Sequence, residues 1–155
     1  MESTRAFVAV ELGPVVTLKD LITTFPYDDS LIRFSITGAQ LHSIFEHVMR
    51  IENRNGEGEN YQVNKGVKAT YSDKEKKLIS LKINEEEIKL DGFYTICMQG
   101  YHYKSCKDYL NISPSELEAT GKMKVISTSA LEVLEEYLRN NQNIYRDIEG
   151  RLEYI

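Results

Sequence analysis

Two cysteines and three histidines are all that the 155 residues offer to thiol or imidazole chemistry. Cys97 and Cys106 stand nine positions apart, which fits neither a CxxC redox pair nor a zinc-ligand pattern. A strand and the loop after it could carry a disulfide between them. The plainer reading is two free thiols, or one thiol in the core and one in a loop. His42 and His47 lie five apart on a helical stretch and point about 140° away from each other, so one metal ion does not reach both. His102 is isolated in the sequence. HxxxH, DxH and GHxH patterns are absent. So are the GxSxG elbow of serine hydrolases and the glycine-rich phosphate loops GxxxxGK[ST] and GxGxxG. No apolar run reaches the ~18 residues of a membrane-spanning helix, and no basic segment followed by an apolar one opens the chain as a signal peptide would. Nor is there an excess of base. Nineteen Lys and Arg face 24 Asp and Glu, for a net charge of −5, and such a surface repels the phosphate backbone of nucleic acids. A small anion held by a few local cations remains compatible with it. These absences describe a binding module without reaction machinery of its own.

The rest of the composition is that of a globular domain, with 41% hydrophobic and 28% charged residues. At this length one domain buries roughly 70% of the surface its unfolded chain exposes, which supports a core without staples. Periodicity supplies the elements. Residues 6–10 are a short apolar, strand-like run, broken by Gly13-Pro14. Residues 17–24 read as a helix capped by Thr17, with Asp20 three positions on and Leu18, Leu21 and Ile22 on one face. Residues 30–36 alternate Leu31, Arg33 and Ser35 with Ile32, Phe34 and Ile36, the period of a strand. Thr37-Gly38 reads as a turn. The next helix, 39–50, repeats Leu41, Ile44, Phe45 and Val48 at helical spacing. The glycine-containing run 51–60 predicts a loop. Residues 62–71, 78–83 and 93–98 follow as strands, joined by a charged hairpin connection at 72–77 and a turn at 84–87. Beyond a tyrosine-rich stretch at 99–111 come a strand at 122–128, a helix at 129–140 capped by Ser129, a turn at Gly150 and a last short strand. Strands and helices do not alternate strictly, which predicts an α+β fold rather than a doubly wound sheet.

Two aromatic stretches stand apart from this pattern. "FPYDD" sets Pro26 between Phe25 and Tyr27 just before a strand, and "QGYHYKSCKDYLN" places Tyr101, Tyr103 and Tyr109 within nine residues. Flat rings on opposing segments can stack a nucleobase between them. Tyr27 and the Tyr101/Tyr103 group are the loop-borne rings best placed for that. An arginine fork suits a neighbouring phosphate or ribose, and Arg5 precedes the first strand. Taken one at a time, each ring reads as core sooner than as clamp.

The order of segments carries more than any one of them. An arginine and a strand are followed by "GPVVTLKDL", "FPYDDSLIRFSITGAQL", "FEH", "NYQV", "GVKATY", "YTICMQGY" and "EGRLEY". Together, from about Arg5 to Tyr154, this series resembles the C-terminal domain of the 5'-nucleotidase family, which includes UDP-sugar hydrolases and 2',3'-cyclic-nucleotide phosphodiesterases. The resemblance implies an α+β substrate-binding domain. It also implies an N-terminal metallophosphoesterase domain, outside these 155 residues, that carries two divalent metals and performs the hydrolysis. The small-molecule partner it implies is a nucleoside or nucleotide, and the setting is an exported, periplasmic or cell-surface parent enzyme. Within the domain, the family's two base-stacking aromatics correspond to Tyr27, in Pro26-Tyr27, and to Tyr101, in Gly100-Tyr101. Arg5 matches the arginine of an Asn-Gly-Gly-x-x-Arg loop whose other members are missing here. The family's Gly-Gly-Asp-Gly-Tyr is "SCKDY": Ser105-Cys106 replace the glycines, and the ribose-binding aspartate aligns with Lys107, with Asp108 next to it. Ribose recognition therefore does not carry over residue for residue. An interaction domain that keeps this fold and has lost nucleotide binding is the alternative expectation.

Overall fold

The computed structural model describes residues 15–57, 61–145 and 147–155. Arg5 and the strand expected at 6–10 lie outside them. Helix α1 (Leu18–Thr24) opens with a reciprocal cap: the Thr17 side chain accepts from the Asp20 amide, and the Asp20 carboxylate accepts from the Thr17 amide. Strand β1 (Leu31–Thr37) alternates as its sequence requires, burying Ile32, Phe34 and Ile36. Thr37-Gly38 is more than a turn. Thr37 caps helix α2 (Gly38–Val48) through Gln40, again reciprocally. Gly38 lies so close to the chain at Lys89 that a Cβ there would stand 2.0 Å from the Lys89 carbonyl oxygen.

Of the loop expected at 51–60, residues 51–57 are instead helical, with Asn53–Glu57 wound as a π-helical turn; residues 58–60 lie outside the described residues. Two polar residues of this turn, Asn53 and Arg54, are used on neighbouring backbone and side chains. The Asn53 amide donates to the His47 and Val48 carbonyls, each at 3.1 Å, closing the C-terminus of α2. Arg54 pairs with Asp73 and lies 3.9 Å over the Tyr154 ring. The following strand also starts later than residue 62. A turn at Lys65-Gly66, where Gly66 takes φ +89°, precedes β2 (Val67–Ser72).

Strands β3 (Lys77–Ile83), β4 (Glu86–Glu87) and β5 (Phe93–Gln99) come next. The tyrosine-rich stretch, read from sequence as carrying its rings on a loop, forms two one-turn helices, α3 (Gly100–Lys104) and α4 (Cys106–Leu110). A further short helix, α5 (Pro114–Leu117), is capped by Ser113. Then follow β6 (Lys124–Ser127), α6 (Ala130–Asn140) and β7 (Leu152–Tyr154). Two sheets result. One has the order β5-β1-β6 with antiparallel pairs, and the other the order β4-β3-β2-β7, in which β7 runs parallel to β2. The fold is α+β, with mixed and antiparallel sheets. Helix α2 packs against β1 and β5 of the first sheet and β3 of the second. The core is continuous from Ile32, Phe34 and Ile36 through Leu41 and Ile44 to Ala69, Tyr71 and Leu81. Full burial of one such aliphatic or phenyl side chain contributes roughly 1.5–3 kcal/mol. Both cysteines are free thiols, Cys106 buried and Cys97 exposed on β5; burial raises the pKa of each.

Candidate functional site

Two of the candidate residues sit at the same end of one strand pair. In β1 and β5, Leu31 faces Gln99, and the Gly100 amide extends the ladder by donating to the Ser30 carbonyl at 2.9 Å. Tyr27 lies just before β1 and Tyr101 just after β5. The segments that carry them touch: a Cβ on Gly100 would stand 2.7 Å from both the Asp29 carboxylate and the Ser30 hydroxyl. Both rings reach solvent, Tyr27 at 70% exposure and Tyr101 at 44%.

Different forces hold the two rings. Tyr27 follows Phe25, whose amide ends α1 on the Leu21 carbonyl, and Pro26, which stops the helix. Tyr101 stands in the first turn of α3, inside an aromatic cluster. Its hydroxyl is 2.8 Å from that of Tyr109. The His102 ring meets it edge-on at 5.5 Å, and the Tyr61 ring meets His102 in turn at 5.4 Å. Tyr103, grouped with Tyr101 by sequence, belongs to the core. Two positions along a helix turn a side chain by about 200°, so Tyr103 points inward and stacks on Phe34 at 5.3 Å. Its hydroxyl donates to Glu118 at 2.6 Å. That bond to a carboxylate, and then burial, raise the Tyr103 pKa.

Lys107 and Asp108 are exposed on α4, which is anchored by buried Cys106 and Leu110. Asn111 ends this helix in the left-handed conformation at φ 54°. Two further residues, neither of them a site candidate from sequence, bear on the site. Tyr109 had a signal, its place in the tyrosine-rich stretch. Asp28 had none, because its carboxylate accepts from the Leu131 amide, 103 positions away.

The cavities lie beside this region rather than in it. An apolar cleft of about 380 Å³ is lined by Phe45, Val48, Ile96, Met98 and His102 among others, and includes neither Tyr27 nor Tyr101. A larger one, about 830 Å³, borders β7. Its arginines, Arg54 and Arg151, are already paired with Asp73 and Glu149. Among the described residues no group of three or more His, Cys, Asp or Glu side chains could hold a metal ion.

Residues 3–112 match the family described as 5'-nucleotidase, C-terminal domain. The chain belongs to that family. Solved structures share the fold at low identity. A 5'-nucleotidase precursor from Thermus thermophilus superposes with a TM-score of 0.71 at 18% identity, over 90% of this chain and 28% of its own. The NAD nucleotidase of Haemophilus influenzae gives 0.71 at 14% identity, over 90% and 27%. A sulfate thiohydrolase, also from Thermus thermophilus, gives 0.55 at 15% identity, over 83% and 23%. This 5'-nucleotidase C-terminal domain therefore spans less than a third of the structures it resembles. No curated protein sequence matches the chain. No helix among the described residues is long and apolar enough to cross a membrane.

Proposed function

We propose that the chain is the nucleoside-recognising domain of a 5'-nucleotidase-like phosphoester hydrolase. The base stacks between Tyr27 and Tyr101, and hydrolysis belongs to a two-metal N-terminal domain of the parent protein. The observation that supports this most is the placement of two exposed tyrosines on touching segments at one end of the β1–β5 pair. Lys107 and Asp108, exposed on α4, are the proposed ribose contacts, and Arg5 the proposed contact for an anionic group. One feature favours a second reading, an interaction domain that has lost nucleotide binding. In the Ser105–Tyr109 stretch, aligned with a glycine-rich loop in the family, residues 106–109 are helical here.

A ligand-detected NMR titration with adenosine, uridine and AMP separates the two. On the first reading the chain binds, and Tyr27→Ala and Tyr101→Ala each weaken binding by about 1–3 kcal/mol with little change in stability. No binding by the wild-type chain at millimolar ligand supports the second reading. A variant that instead loses several kcal/mol of stability identifies that tyrosine as core.

A further inference from the structure

We propose that Asp28 is a positioning residue that holds the Tyr27 side of the site by binding the N-terminus of α6. Its purpose rests on the nucleoside reading above; its geometry does not. The first amides of a helix have no acceptor within the helix. In α6 three of them are satisfied in succession. The Ala130 amide donates to the Asp29 carbonyl at 2.8 Å, the Leu131 amide to Asp28 Oδ1 at 3.0 Å, and the Glu132 amide to Ser129 Oγ at 3.0 Å. Two of these three acceptors come from the residues directly after Tyr27.

This arrangement matters more to Tyr27 than to α6. Ser129 already caps the helix. Tyr27, by contrast, is 70% exposed, so its ring takes its direction from its backbone. That backbone is fixed at Phe25 on one side and at Asp28 and Asp29 on the other. Helix α6 also lies beyond residue 112, where the family match ends. A part of the chain outside the matched region thereby gains a role at the site.

The test labels the chain with 3-fluorotyrosine and follows Tyr27, assigned through Tyr27→Phe, by fluorine NMR with and without AMP. Asp28→Ala is expected to move the Tyr27 signal toward that of a free tyrosine and to weaken AMP binding roughly three- to tenfold, leaving the Tyr101 signal in place. Asp28→Asn keeps a carbonyl oxygen for the Leu131 amide and is expected to stay near wild type in both readouts. Leu131→Pro removes the donor instead, a change the first helical turn accepts. It is expected to release Tyr27 in the same way, and serves if Asp28→Ala does not fold. A folded Asp28→Ala protein with wild-type Tyr27 signal and AMP affinity overturns the proposal. If the wild-type chain ignores AMP but Asp28→Ala still frees Tyr27, the nucleoside reading fails and the latch stands.

Discussion

The hydroxyls of Tyr101 and Tyr109 stand 2.8 Å apart, joining α3 to α4 across the turn at Ser105. Either can be the donor, and the ring centroids are 5.7 Å apart at 46°. The bond ties the Tyr101 hydroxyl to a neighbour and so holds the ring that is proposed to meet a ligand. A ring held in advance loses less freedom on binding than one that must be ordered by the ligand.

Removing only the Tyr109 hydroxyl tests that idea. Tyr109→Phe keeps the ring and its packing and takes away one hydrogen bond, whose net worth is about 0.5–1.5 kcal/mol. We expect nucleoside affinity to fall by up to that amount, with the urea unfolding midpoint nearly unchanged. Affinity at the wild-type level would mean that packing against the Tyr109 and His102 rings, without the hydroxyl bond, sets the Tyr101 ring.

Local signals and long-range ones fared differently in the sequence. The Thr17–Asp20 cap, the alternation of β1 and the heptad-like spacing in α2 all depend on residues within a few positions, and each reads directly; the Thr37–Gln40 cap is as local, yet Thr37-Gly38 reads as a turn. The π-helical turn at Asn53–Glu57 does not, because its stability comes from Arg54 meeting Asp73 and Tyr154, both distant in the chain. The tyrosine-rich stretch shows the same limit within the site. Composition marks it as unusual, but only helical winding separates Tyr101, facing out, from Tyr103, stacked on Phe34. The Asp28–Leu131 contact has no local signature, since Asp28 precedes a strand and Leu131 opens a helix in a later part of the chain.

Gly38 is a second place where a distant contact decides a local choice. Its φ is not positive, so the demand is for space rather than for a backbone conformation. The Lys89 carbonyl oxygen and carbon would lie 2.0 and 2.9 Å from an added Cβ, and both are backbone atoms. The Gly38 and Ala39 amides donate to Gly92 and Leu90, at 2.8 and 2.9 Å, and hold the two segments together. Gly38→Ala must therefore push the 89–92 turn away from α2. We expect a loss of about 1–3 kcal/mol by urea denaturation, in the range of overpacked sites. A variant as stable as wild type would show that this turn shifts freely.

His47 makes the stability depend on pH, and the sign follows from its neighbours. The Arg50 guanidinium nitrogen lies 3.0 Å from His47 Nε2. An arginine has no acceptor, so Nε2 accepts and the imidazole is neutral. Burial first, then the Arg50 charge, lower the His47 pKa below its ordinary 6.5, against a backbone hydrogen bond with Asp108 that raises it. Between the unfolded value and the lowered folded one, the unfolded chain binds more protons than the folded chain, so stability falls as the pH falls. The contribution is fully present above pH 6.5 and declines as the pH drops through the folded value. Protonation would turn Nε2 into a donor facing a donor, next to the helix that carries Lys107 and Asp108. We expect denaturant midpoints to decrease as the pH is lowered from 7 towards 5, and His47→Gln, which cannot titrate, to flatten that slope. An equal slope in the variant would show that His47 does not carry the acid sensitivity in this range. Asp20 and Glu116, whose pKa values are lowered by their bonds to Thr17 and Ser113, lose their contribution only at lower pH, as it falls through their own folded values.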